Sequence, residues 1–166
     1  MKNKELFLNP NCRALIIGSS GAIGSAIVKE LKQKIKPENV VTISRRQNGL
    51  DLIKPETIAL SSVDLDGPFH LILDATGALE IDGVGPEKSF SVLDSDMMLN
   101  QFKVNTIGPA LLIKHLVKFL PRTGKAVFVT LSARVGSIED NRLGGWVSYR
   151  ASKAALNQVV RTASIE

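Results

Sequence analysis

Short apolar runs alternate along this chain with longer stretches whose apolar residues recur every three or four positions, and no internal repeat or low-complexity segment interrupts them. That rhythm belongs to βαβ units wound around a parallel sheet. Five strands are predicted: Arg13 to Ile17, Val40 to Ile43, a short piece near Leu50, Phe69 to Leu73, and Ala126 to Leu131. Ala22 to Lys36 has helical spacing, with Ile23, Ile27 and Leu31 on one face and Pro37 just beyond its end. Pro55 to Ser62 reads as a short helix, Asp94 to Leu120 as a long one, and Val147 to Glu166 as the last. Val159, Val160 and Ile165 keep that last helix amphipathic with no stop signal, so a longer protein is expected.

Composition narrows the class. With 166 residues, 44% hydrophobic and 22% charged, residues 1–166 suit one globular domain with a substantial core. The lone cysteine, Cys12, can form no internal disulfide; it is expected to pack as a small apolar side chain in a reducing, cytoplasmic setting. The opening MKNKELFLNPN lacks the apolar centre of a signal peptide, and no run reaches the roughly 20 apolar residues of a membrane span, so no membrane partner is expected. The net charge of +5 is scattered, and one Trp, one Tyr and six Phe do not interleave with it, which argues against nucleic acid. His70 and His115 have no metal-ligand spacing.

Candidate chemistry begins where the first strand runs into Gly18-Ser19-Ser20-Gly21-Ala22-Ile23-Gly24 and a helix follows. Glycine lets the backbone turn tightly and approach a ligand, while the N–H groups and dipole of the helix start favour a pyrophosphate. Ser19 and Ser20 can add hydroxyl donors. After the second strand comes Ser44-Arg45-Arg46, where an NAD site usually carries an acid for the ribose hydroxyls; arginine suits a 2′-phosphate, favouring NADP(H) over NAD(H). Asp51 either contacts the adenine edge or caps the helix after Lys54.

Near the other end, Tyr149 and Lys153 stand four residues apart on one helical face and can meet the same ligand. A neighbouring ammonium favours phenolate, which is expected to lower the tyrosine pKa toward the working range of a general acid.

Taken in order, Gly18 to Gly24, Asp74-Ala75-Thr76-Gly77, Asn105 and Tyr149-Arg150-Ala151-Ser152-Lys153 resemble the motifs of the short-chain dehydrogenases/reductases over nearly the whole chain. Ser132 to Ile138 and Asp140 to Trp146 are most similar to the C-factor and sniffer-like carbonyl reductases. The resemblance implies an α/β fold, a Rossmann-type doubly wound parallel sheet in three α/β/α layers, C-terminally incomplete. It also implies hydride transfer between NADP(H) and a carbonyl or alcohol substrate. Tyr149 would be the acid or base, Lys153 would hold ribose and tyrosine, a serine would polarise the carbonyl, and Ala75, Thr76 and Gly77 would line the cofactor loop. Family members are commonly dimers or tetramers that pair the helices corresponding to Asp94–Leu120 and Val147 onward, so a homodimer or homotetramer is expected.

Asn105 is also reached from the residues, because Pro109 cannot donate to its carbonyl. The freed carbonyl either holds a water in a proton relay, as in the family, or marks a structural kink. The sequence departs from the family at Ala22 for the middle glycine, at Asp74-Ala75-Thr76-Gly77 for Asn-Asn-Ala-Gly, and at Ala133 for the second of two serines. Ser132 is the favoured carbonyl donor, with Ser137 and no serine as the alternatives. A fourth departure is length, since the family's last strands and substrate-closing segment do not follow.

Overall fold

In the computed structural model, which describes residues 9–166, strands β1 (Ala14–Ile17), β2 (Val40–Ile43), β3 (Leu71–Asp74) and β4 (Val127–Thr130) lie parallel in the order β2-β1-β3-β4. The reading of residues 1–8 as lacking a signal core falls outside the described residues. Side chains of β1 alternate between two cores. Leu15 and Ile17 join Ile58, Leu112 and Leu116 under helices α3 (Pro55–Leu60) and α5 (Gly108–Leu116), while Ala14 and Ile16 meet Leu31 and Ile35 from the α1 segment (α1, Ala22–Lys34). Two buried faces explain the unbroken apolar run, and helices on both sides make the expected three layers. Between β1 and β3 the winding reverses direction, which opens a crevice at the carboxyl ends of both strands.

Several boundaries differ from the sequence reading. No strand forms near Leu50. There Gly49, at φ +70, closes the one-turn helix α2 (Arg45–Asn48), and the Asp51 N–H donates to Thr57 Oγ1 at 2.9 Å instead of to a strand. Leu50 owes its apolar signal to the core, where it is buried. Helix α1 ends at Lys34, and its buried face starts at Gly24 rather than at Ile23, which is 58% exposed.

The long helix is broken into α4 (Ser95–Phe102), a π turn (Lys103–Ile107), α5 and a 3-10 turn (Val117–Phe119). Because Pro109 has no N–H to give the carbonyl of residue 105, the ladder widens just before it, and the Gly108 N–H reaches the Lys103 carbonyl five residues back.

Candidate active site

The crevice starts at the glycine turn. Gly18 sits at φ +79 with its N–H donating to the Ile43 carbonyl at 2.8 Å, and a Cβ on it would lie 3.0 Å from the Ala75 carbonyl. Gly24 is packed harder still: its Cβ would fall 2.2 Å from the Gly18 oxygen. Gly21 caps α1 in an extended conformation with no side-chain cap and no acid in the first turn, leaving the helix start open to an anion. A cleft of about 350 Å³ runs from here, lined by Gly18, Ser20, Gly21, Ser44, Arg45, Asp51, Ala75, Thr76 and Gly77.

Other sequence candidates lie beside that lining. Ser19 turns its hydroxyl to the Ile43 carbonyl and Gln47 Oε1, Gly24 is buried under the turn, Ile23 faces outward, and Arg46 is exposed next to Arg45. Ser44 is buried, and its Oγ accepts the Gln47 N–H, capping α2. Asp51 spends Oδ1 on the Ile53 N–H at 3.1 Å and lines the cleft; Lys54, not Asp51, is the cap of α3.

At the end of β3, buried Asp74 accepts from the Thr76 N–H, the Thr76 hydroxyl and the Thr130 hydroxyl, tying the loop to β4. Burial raises its carboxyl above the ordinary value although those bonds and Lys153 act to lower it. Gly77, at φ +110, is where the site converges: a Cβ would lie 2.9 Å from Asn105 Oδ1 and 3.1 Å from Lys153 Nζ. Asn105 is fully buried on the π turn; its amide donates to the Ala78 carbonyl and accepts the Ala78 N–H, clamping this loop from both sides.

Helix α6 (Val147–Ala163) brings Tyr149 and Lys153 together. Lys153 Nζ donates to the Leu131 carbonyl at 3.0 Å and stands 5.9 Å from the centre of the Tyr149 ring. The expected lowering of the tyrosine pKa is corrected: burial raises the half-buried phenol. Burial lowers the pKa of Lys153 itself, with Asp74 pulling it back up.

No family model matches the sequence. It is 37% identical over 118 residues to a 1-hydroxy-2-glutathionyl-2-methyl-3-butene dehydrogenase of Rhodococcus sp. (strain AD45), covering 67% of this chain and 47% of that protein. It is 31% identical over 180 aligned positions to an NADPH-dependent 1-acyldihydroxyacetone phosphate reductase of Saccharomyces cerevisiae, covering 98% of this chain and 58% of that protein. The chain therefore spans about half the length of the curated relatives it matches. A Burkholderia multivorans short-chain dehydrogenase/reductase solved with bound NADP superimposes at a TM-score of 0.75 with 25% identity, over 92% of this chain and 72% of that one. The chain belongs to the short-chain dehydrogenase/reductase family.

Against the short-chain dehydrogenase/reductase pattern, the serines are where this chain departs most. Ser132 is exposed and its hydroxyl donates to Asn157 Oδ1 at 2.6 Å. Asn157 lies eight residues beyond Tyr149 on α6, about 12 Å along the axis at ~1.5 Å per residue, so the Ser132 hydroxyl is engaged by a side chain about two turns past the tyrosine. Neighbouring side chains of an extended segment point to opposite sides, and Ala133, extended at φ −144, takes the other side. Ser137 Oγ accepts the Asp140 N–H at 3.2 Å within its own loop.

Three residues at this site escaped the sequence reading. Glu87 is 4% exposed on the loop after β3 and bonds Ser148, and Trp146 packs edge-on to Tyr149 with ring centres 6.3 Å apart. A GPEKS loop carries no periodic signal, so nothing in the sequence marks Glu87 as buried. Among the described residues no cluster of His, Cys, Asp or Glu could hold a metal ion, and no helix is long and apolar enough to cross a membrane.

Proposed function

We propose that this protein is an NADP(H)-dependent oxidoreductase acting on a carbonyl or alcohol substrate, with Tyr149 as the general acid or base. The observation that carries this reading is convergence: Lys153 stands beside the Tyr149 ring and against Gly77, at the end of the cleft that begins on the glycine turn. The cradle fits a dinucleotide, because Gly18 and Gly24 keep side chains out of the turn and the open start of α1 offers its N–H groups to a pyrophosphate. Arg45 on the cleft wall and Arg46 beside it would meet a 2′-phosphate. The printed names of the yeast relative and the Burkholderia structure support the same cofactor.

When bound, NADP(H) supplies or accepts the hydride. Tyr149 moves the proton. A phenol is protonated at neutral pH, and burial raises this one further, so in the reducing direction it gives its proton to the carbonyl oxygen. Lys153 then faces the phenolate left behind, and a positive charge there lowers its cost; burial lowers the lysine pKa and Asp74 acts to raise it. Lys153 would also hold the ribose, Thr76 and Ala75 would line its path, and the Asn105 carbonyl would carry the water relay. A homodimer or homotetramer formed through α5 and α6 belongs to the same reading.

A second reading, a nucleotide-binding protein without turnover, is favoured by Ala133 and by Ser132 facing Asn157, which leave the substrate carbonyl without the expected serine. Oxidation of NADPH and NADH with ketones, aldehydes and quinones, beside a Tyr149→Phe variant, separates the two. Activity lost in the variant with cofactor binding kept supports the reductase; cofactor binding with no turnover in the parent supports the second reading.

A further inference from the structure

We propose that Glu87 is a positioning residue that fixes the start of α6 and thereby sets the Tyr149 hydroxyl, an inference that rests on Tyr149 being the proton donor. Its neighbours Lys88, Ser89 and Phe90 are exposed, yet Glu87 is 4% exposed and turned inward. Oε2 accepts the Ser148 N–H at 3.1 Å and Oε1 accepts the Ser148 hydroxyl, while the Glu87 carbonyl accepts the Trp146 N–H at 2.5 Å. One residue of a distant loop thus holds both sides of the turn that leads into Tyr149.

Helix α6 needs this outside help. Trp146, its cap residue, offers no side-chain bond, and the first turn holds no acid, so the exposed N–H groups and positive dipole end lack an internal partner. Glu87 brings a carboxylate to that end from another part of the chain, as a capping side chain would. Trp146 also sits at φ +52, a conformation a bulky residue keeps only where its surroundings hold it. Gly145, at φ +63, adds a second contact between the same two loops, since a Cβ there would lie 3.0 Å from the Lys88 carbonyl. Burial acts to raise the Glu87 carboxyl, but the bonds from Ser148 and from its own backbone N–H outweigh it and keep it below its ordinary pKa, so the clamp is charged at neutral pH.

Glu87 is absent from the lining of the dinucleotide cleft. Its loss should therefore misplace Tyr149 without weakening cofactor binding. The test compares Glu87→Ala, Glu87→Gln, Ser148→Ala and the Glu87→Ala/Ser148→Ala pair in the whole protein, with NADPH and with benzaldehyde and acetophenone as probe carbonyls. Glu87→Ala is expected to lower kcat by about tenfold to a hundredfold, the size of a small misplacement, with the NADPH Kd within about twofold. The pair should be no worse than the poorer single variant, because both remove one clamp. Glu87→Gln should restore most of kcat: its amide oxygen takes the Ser148 N–H and its amide N–H donates to the serine hydroxyl.

An unchanged kcat in Glu87→Ala, a parallel loss of NADPH affinity, or no rescue by glutamine overturns the proposal. Trp146, the sequence's one tryptophan, gives a readout independent of turnover. If the probes are not reduced, or Tyr149→Phe stays active, the reductase reading fails separately. The clamp then stands if the emission of Trp146 shifts in Glu87→Ala and not in Glu87→Gln, and falls if it shifts in neither.

Discussion

Replacing Gly24 by alanine sets one methyl group against the glycine turn. Its Cβ would lie 2.2 Å from the Gly18 oxygen, 2.9 Å from the Gly18 carbonyl carbon and 3.0 Å from the Ser19 Cα, all backbone atoms that cannot rotate aside. Relief requires moving the turn by about 1 Å, and overpacking of this kind costs about 3 kcal/mol at the upper end of the usual range. Alanine returns about 1 kcal/mol through its higher helix propensity, leaving about 2 kcal/mol of destabilisation. For a chain of this length that is a fall of about 4–8 °C in Tm. Gly21→Ala is the control: its Cβ meets the Gly18 oxygen at 3.4 Å, and φ is an ordinary −77. It should stay within about 0.5 kcal/mol of the parent. Thermal unfolding followed by circular dichroism reads both, and titration with NADPH should show a Kd raised about tenfold or more in Gly24→Ala, equivalent to ~1.4 kcal/mol of lost binding. Equal melting temperatures in the two variants would refute the packing argument.

Three further outcomes are expected. Ser132→Ala should change kcat by no more than about twofold, because the hydroxyl is held at Asn157; a loss of about a hundredfold, the usual size for a lost oxyanion donor, would place it at the substrate after all. Arg45→Ala with Arg46→Ala should weaken NADPH about tenfold or more and leave NADH nearly unchanged in direct binding titrations, and equal weakening of both would remove the 2′-phosphate role. Asp74 binds its proton more tightly folded than unfolded, so stability falls as pH climbs from the ordinary value of 3.8 to the raised one and is level above it. Asp74→Asn should abolish that slope, read from urea midpoints across acidic to neutral pH; a variant that keeps the parent's slope contradicts the assignment to Asp74.

Features with a local cause could be read from the sequence. The unbroken apolar run of β1 follows from burial on both faces, and Gly18 and Gly24 follow from turns that leave no room for a side chain. The break in the long helix was visible in Pro109, though that it would take the form of a π turn was not. Features set by distant contacts were not readable. Leu50 mimicked a strand because a buried leucine gives the same apolar signal in a turn. Ser132 finds Asn157 from 25 residues away, and Glu87 finds Ser148 from 61 residues away, contacts for which neither local sequence holds a cue.

The Tyr149 and Lys153 pair shows why spacing alone settles proximity and not chemistry. Four residues on a helix put the two side chains together, and the ammonium does come within 5.9 Å of the ring. What spacing cannot supply is the solvent each group loses on folding. Here burial raises the phenol and lowers the ammonium, so each charged form is disfavoured by the packing that brings the pair together. A phenol is in any case protonated at neutral pH, the form a proton donor needs before it meets a carbonyl. A positive lysine is needed only once that proton has left, and buried Asp74, tied to Thr76 and Thr130, acts to raise the lysine pKa against the burial that lowers it. The replacement of the family's asparagine by Asp74 thus sets a titratable carboxyl behind the lysine, more than 70 residues upstream of Tyr149 in the sequence.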